Sequence, residues 1–224
     1  MNFVPGEALV IPIQGVTLGG EFNLAADASG LVLFAHGSGS SRHSPRNQFV
    51  ARTLREAGLG TLLFDLLTAR EEQAEARTRH LRFNIPFLAA RLADATRWIL
   101  AQTNRDVSVG YFGSSTGAAA ALVAAAELGE TVRAVVSRGG RPDLAEGALQ
   151  RVRAPTLLIV GGEDGPVVML NEEAFGRLRC EKAMQIVPGA AHLFEEPGAL
   201  EKVARLASEW FAAHLQPQKK PRGN

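Results

Sequence analysis

The segment "GSSTG", residues 113–117, carries the first chemical signal in this sequence, because it fits the pattern Gly-x-Ser-x-Gly with Ser115 at its centre. It follows the strand-like stretch "VSVGYF" and precedes an alanine-rich, helix-like stretch, which is the context of a nucleophile elbow. Glycines on both sides of such a turn leave room for a sharp bend that lifts one hydroxyl above a sheet. The pattern therefore predicts Ser115 as a nucleophile.

A nucleophilic serine needs a base that takes its proton and an acid that orients the base. After a nucleophile elbow the three residues follow one another in the order serine, acid, histidine. His192 lies in "VPGAAHLFEEPG", after the last strand-like segment, and Asp164 lies where "LLIVGGEDGPV" ends a strand. The order predicts His192 as the base and Asp164 as its acid. The neighbouring Glu163 stays open as an alternative acid.

Acyl transfer also needs two backbone donors for the oxyanion. Thr116 follows the nucleophile and supplies one, and the glycine-containing loop "FAHGSGSSRHSPRN" supplies the other, which we assign to Ser38. The same stretch does not fit the pattern of a phosphate-binding loop, because no Gly-Lys-Ser or Gly-Lys-Thr follows it. The sequence also lacks a dinucleotide fingerprint, an H-E-x-x-H motif and paired cysteines. We therefore expect neither a cofactor nor a metal.

Several arginines follow strand-like segments, whose ends converge on the ligand face of an open α/β sheet. Because a guanidinium pairs well with carboxylates and phosphates, these arginines suit an anionic group on a substrate. The alternative is that each arginine is solvated or paired with a nearby acid. Arg138, followed by two glycines, is the first choice among them. The candidate substrate-binding residues are Arg138, Arg42, Arg46 and Arg79.

Short apolar segments alternate with helix-like segments from residue 30 onward, and this pattern predicts a mostly parallel sheet with helices on both faces. The strand-like segments read as strands buried on both faces. Two earlier segments, "EALVIPIQG" and "VTLGGEFNLAA", predict an N-terminal antiparallel pair. Helices are predicted in "SPRNQFVARTLREAG", with Ser44 as its N-cap, in "FNIPFLAARLADATRWILAQ" and in "LEKVARLASEWFAAHL".

Length and composition predict a single domain over residues 1–215 and a polar, flexible tail over 216–224, since 46% of the 224 residues are hydrophobic. The 24 basic and 23 acidic residues nearly cancel, so neither nucleic acid nor a membrane is an expected partner. The first residues do not resemble a signal peptide, and the single Cys180 suits a cytoplasmic protein. Cys180 is expected to be a buried structural residue rather than a reactive thiol.

One charged segment, "TAREEQAEARTRHLR" at 68–82, interrupts this pattern directly after a strand. It is read either as a solvated turn or as a short lid near the site. With only this segment available to cover the site, no large cap domain is expected.

Five segments together resemble the α/β-hydrolase superfamily, and in particular its dienelactone hydrolase-like branch: "HGSGSSRHSPRN", "GYFGSSTGAAAAL", "SRGGRPDLA", "LLIVGGEDGPV" and "VPGAAHLFEEPG". The resemblance extends over residues 7–215 and implies the α/β-hydrolase fold. It implies that Ser115 is the nucleophile, Asp164 the acid and His192 the base. It also implies oxyanion donors at Ser38 and Thr116. Dienelactone hydrolases have a cysteine nucleophile, so the serine here speaks against a dienelactone substrate and leaves ester chemistry intact. The chain also resembles hydrolase domains that accompany phosphoribosyltransferase domains, whose motifs it lacks.

These features predict a serine hydrolase that cleaves a small carboxylic ester or thioester, with an anionic group as a candidate feature of the substrate. A non-catalytic binding or regulatory protein on the same fold is the alternative from another class. An acyltransferase or perhydrolase, in which an alcohol or a peroxide replaces water, would use the same residues. The sequence predicts no oligomeric state.

Overall fold

A computed structural model describes residues 7–103 and 106–216 of this chain. The predicted tail, 216–224, lies outside these ranges except for its first residue. No helix in the described ranges is both long enough and apolar enough to cross a membrane.

Eight strands form one sheet in the order β1-β2-β4-β3-β5-β6-β7-β8. The predicted antiparallel pair is confirmed, since β1 and β2 run antiparallel, and β2 is also antiparallel to β4. The remaining neighbours are parallel, as predicted. The strands are β1 (Glu7–Ile13), β2 (Val16–Asn23), β3 (Gly30–Ala35), β4 (Gly60–Phe64), β5 (Ser108–Ser114), β6 (Val132–Arg138), β7 (Thr156–Gly161) and β8 (Lys182–Val187).

Helices cover both faces of the sheet. Buried residues of α1 and α6 pack on one face, and those of α3, α4 and α5 pack on the other. The helices are α1 (Pro45–Glu56), α2 (Ala69–Thr78), α3 (Ile85–Gln102), α4 (Thr116–Leu128), α5 (Gly165–Arg177) and α6 (Ala199–His214), with 3₁₀ turns at Leu81–Phe83, Gly129–Thr131 and Pro142–Arg151. All three predicted helices are present, and the Ser44 side chain caps α1 as expected.

The central strands β3, β4 and β7 are buried throughout, as their apolar sequences predict. The expectation fails for β8, where Gln185 and Ile186 are exposed. This strand lies at the end of the sheet and pairs with β7. A run of apolar residues therefore does not distinguish an end strand from a central one.

The charged segment 68–82 folds mainly into α2 and the turn Leu81–Phe83 rather than into a solvated loop. A capping box between Thr68 and Glu71 begins the helix. Glu75, only 2% exposed, faces inward and accepts hydrogen bonds from the Arg82 side chain and from the Leu81 amide. As predicted, the described residues form no large cap domain.

Candidate active site

Ser115 lies between β5 and α4 with φ +51° and ψ −125°, a backbone conformation that non-glycine residues rarely adopt. Its carbonyl accepts hydrogen bonds from the amides of Ala118, at 3.1 Å, and Arg141, at 3.0 Å. Its own amide donates to the carbonyl of Arg138 at 3.4 Å. These contacts hold a strained residue at the end of a central strand, which is the geometry of a nucleophile elbow.

The glycines around Ser115 are required by close contacts. A Cβ at Gly117 would lie 2.2 Å from the carbonyl oxygen of Ala35, and one at Gly113 would lie 2.5 Å from the Cα of Ala118. A Cβ at Gly37, in the loop after β3, would lie 2.9 Å from the Cβ of Ser115. The elbow and the loop after β3 therefore touch, as an oxyanion site made from both of them requires.

Asp164 and His192 are brought together from the loops after β7 and β8. The Nδ1 atom of His192 lies 2.6 Å from Oδ2 of Asp164. Because a carboxylate accepts, Nδ1 carries the proton, and Nε2 is left free to act as a base. Glu163, the alternative acid, has an exposed side chain, and its amide donates to the carbonyl of Ala190.

Ser38 and Thr116, the two residues assigned to the oxyanion, lie in contact. Their hydroxyl oxygens are 3.0 Å apart, at hydrogen-bond distance. Thr116 is the first residue of α4, so its amide is among those that a helix leaves without an internal partner. The positive end of the α4 dipole also lies here, which favours negative charge at this position.

A cavity of about 230 Å³ joins the candidate residues. Ser38, Ser115 and His192 line it together with two of the four candidate arginines, Arg46 and Arg138. Ser115, His192 and the loop that carries Ser38 thus line one space that is large enough for a small ligand.

The structure does not bring the other two arginines to this cavity. Arg42 forms an ion pair with Asp65 and also donates its amide to that carboxylate, at 2.8 Å. Arg79 ends α2 in a left-handed conformation and is exposed. Arg42 is therefore already neutralised by a partner, and Arg79 is in contact with solvent.

Arg138 has an unusual environment for a cation. It is 6% exposed, and its Nη2 donates to Oδ1 of Asn47 at 3.3 Å. Burial, reinforced by the positive charge of Arg46, lowers the pKa of Arg138 to about 10. The side chain therefore stays charged at neutral pH.

His36 is a residue to which the sequence analysis gave no role. It is 6% exposed, and its Nε2 accepts a hydrogen bond from the Leu66 amide at 3.0 Å. The other ring nitrogen, Nδ1, must then be protonated, and it lies 3.0 Å from the Gly37 carbonyl. Burial lowers the pKa of His36. The neutral ring links the loop after β3 to the loop after β4. In the sequence, a histidine-glycine pair directly after a buried strand is the feature that could have indicated this residue.

Within the described ranges, no three histidine, cysteine, aspartate or glutamate side chains are grouped so that they could hold a metal ion. Cys180 is half-buried and lies 3.7 Å from Oγ1 of Thr156. Burial raises the pKa of the Cys180 thiol, so it is not an activated nucleophile.

Comparisons with known proteins agree with this geometry. A family model described as the alpha/beta hydrolase fold matches residues 30–154. The crystal structure of a dienelactone hydrolase from Anabaena variabilis is 58% identical to this chain, with a TM-score of 0.91 over 94% of this chain and 98% of that chain. Est1E from Butyrivibrio proteoclasticus has a TM-score of 0.77 at 15% identity, over 92% of this chain and 98% of that chain, and so shares the fold.

A further relative is longer. A protein of Mycobacterium tuberculosis, named provisionally as a phosphoribosyl transferase, is 55% identical over 201 residues. The match covers 89% of this chain and 44% of that protein, so the chain spans less than half the length of this relative.

Proposed function

Because this chain belongs to the α/β-hydrolase family, in its dienelactone hydrolase-like branch, we propose that it is a serine hydrolase that cleaves a carboxylic ester or thioester through an acyl-enzyme. The observation that carries the proposal is the 2.6 Å contact between Asp164 and His192, at a cavity that His192 shares with a strained Ser115. The name of the M. tuberculosis relative is not transferred, because the match leaves out more than half of that protein.

In the proposed first step, the Ser115 hydroxyl attacks the carbonyl carbon of the ester while Nε2 of His192 takes the hydroxyl proton. The tetrahedral oxyanion accepts hydrogen bonds from the Ser38 and Thr116 amides. Asp164 holds the imidazole in the required tautomer and stabilises the imidazolium that forms. When the carbon–oxygen or carbon–sulfur bond breaks, His192 returns the proton to the leaving alkoxide or thiolate.

The second step repeats the chemistry with water. His192 takes a proton from water as the resulting hydroxide equivalent attacks the acyl-enzyme, and it then protonates Ser115 as the acid is released. An alcohol or a peroxide in place of water would give the acyltransferase or perhydrolase reaction with the same residues.

Intact-mass analysis after treatment with a fluorophosphonate tests the proposal. One phosphonyl adduct is expected on the wild type and on Ser114→Ala, and none on Ser115→Ala, because an activated serine attacks phosphorus and an ordinary serine does not. His192→Ala should label far more slowly. The variants should show the same order in turnover of 4-nitrophenyl butyrate. A folded wild type that neither labels nor turns over the ester would favour the non-catalytic alternative.

A further inference from the structure

The side chain of Arg138 is a buried cation without a carboxylate partner. Among the described residues no aspartate or glutamate forms an ion pair with it, whereas most other buried or half-buried arginines have such a pair. Its Nε atom is buried and has no hydrogen-bond partner. Among the described residues, its side-chain contacts are with the Asn47 amide oxygen and with the ring of Phe194, 6.0 Å from the guanidinium carbon.

Arg46 lines the same cavity and also has an unpaired donor. Its Nη1 pairs with the exposed Glu195 at 2.9 Å, but its Nε atom is also buried without a hydrogen-bond partner. Two guanidiniums that are close enough to lower the pKa of one of them repel each other. The local charge of this wall is therefore unbalanced, although the whole chain carries a formal net charge of only +1.

Burying a charge is costly unless an opposite charge and hydrogen bonds compensate for it. Arg138 has no carboxylate partner among the described residues, and it lines the cavity together with Ser115 and His192. We propose that Arg138, with Arg46 beside it, forms an anion subsite that binds a carboxylate or phosphate group carried by the ester substrate. The effect on turnover rests on the proposed hydrolase function, whereas the binding of an anion does not.

The cavity can hold the reacting part of a substrate. Its volume of about 230 Å³ corresponds to roughly eight water-sized groups, which is enough for an ester group, a short linker and one anionic group. The backbone carbonyl of Arg138 accepts the amide of Ser115, so the subsite and the nucleophile are fixed to one another. The anionic group and the scissile carbonyl therefore belong to one small molecule.

A purely structural Arg138 predicts a different outcome when the residue is replaced. If the guanidinium stabilised the fold through Asn47 and Phe194, Arg138→Met would lower Tm. If it is an uncompensated cation kept for a ligand, the methionine relieves a buried charge, and Tm should stay the same or rise.

Two matched pairs of esters test the subsite. Mono-4-nitrophenyl glutarate and 4-nitrophenyl butyrate differ in an anion on the acyl part, and 4-acetoxybenzoate and phenyl acetate differ in an anion on the alcohol part. For the wild type we expect higher kcat/KM for the anionic ester in at least one pair. In Arg138→Met that value should fall about 10-fold to 100-fold, as for a lost hydrogen bond between charged groups, with the neutral esters changed less than about 3-fold. Arg138→Lys should recover part of the loss, and Arg205→Met, at an exposed position of α6, should change neither value.

Thermal melting with glutarate or inorganic phosphate supplies a readout that does not depend on turnover. Either anion should raise Tm of the wild type and not of Arg138→Met, and the more effective one identifies the preferred anionic group. The inference is overturned if Arg138→Met loses neutral and anionic activity equally, or if neither anion shifts Tm and no ester pair shows a preference. A wild type that binds anions but neither labels nor turns over any ester would instead refute the proposed hydrolase function alone.

Discussion

At the scale of single residues, Arg138 contributes to the site through both its backbone and its side chain. Its backbone carbonyl accepts the Ser115 amide, and its side chain lines the same cavity as the Ser115 hydroxyl. The φ of +51° at Ser115 costs about 1–3 kcal/mol and persists only where the surroundings hold it. The end of β6 therefore supports the strained Ser115, the proposed nucleophile, and also places a cation at the same cavity.

The choice between two adjacent carboxylates gives a residue-scale prediction. Asp164→Asn should lower kcat for 4-nitrophenyl butyrate by roughly 10⁴-fold, because an amide can hold His192 in the wrong tautomer while the geometry survives. Glu163→Gln is the matched control and should stay within about 2-fold of wild type, because Glu163 is exposed and the carboxylate that contacts Nδ1 of His192 is that of Asp164. Steady-state kinetics on both variants measures the two values of kcat. A larger loss of kcat in Glu163→Gln than in Asp164→Asn would assign the role of the acid to Glu163.

At the scale of elements, local sequence predicted the site best where one strand end determines a residue's position. The strand, glycine and helix signals around Ser115 are all local, and the structure has the predicted turn there. Arg42 and Arg138 both follow strands, yet the first pairs with Asp65 and the second has no carboxylate partner among the described residues. That difference depends on contacts between distant segments, as does the link from His36 to Leu66, so spacing alone could not reveal either.

The packing of α4 against β3 gives an element-scale prediction. Gly117→Ala should destabilise the protein by more than about 3 kcal/mol, because the new Cβ would meet backbone oxygens of Ala35 and His36 that cannot move aside freely. Gly176→Ala, at an exposed position of α5 with open space around the new Cβ, should instead add about 0.5–1 kcal/mol to the free energy of unfolding. Urea unfolding of both variants measures the difference. Equal destabilisation of the two variants would contradict the prediction that the close contacts at Gly117 make its replacement more costly.

For the whole molecule, the near balance of 24 basic and 23 acidic residues means that no global field draws an anion to the site. Attraction must come from the two arginines at the cavity, and a charge confined to one cavity wall is screened less by salt than an exposed one. The free energy of unfolding also depends on residues near the cavity, because His36 joins the loops after β3 and β4 inside the fold.

The pH dependence of global stability follows from that link. Burial lowers the pKa of His36, although the Gly37 hydrogen bond and the carboxylates of Asp65 and Glu72 act in the opposite direction. In the unfolded chain the same imidazole titrates near 6.5, so below that pH the unfolded state takes up a proton that the native state does not. The contribution of His36 is therefore fully present above about pH 6.5 and is lost as the pH falls toward the lowered native pKa.

The free energy of unfolding should consequently fall more between pH 7.5 and 5.5 in the wild type than in His36→Gln. Glutamine does not titrate, and its amide oxygen can still accept a hydrogen bond from the Leu66 amide. The other titratable groups are the same in both proteins, so their contributions cancel in the comparison. Urea unfolding at the two pH values measures both differences, and parallel losses in the two proteins would show that the native His36 imidazole accepts a proton as readily as the unfolded one.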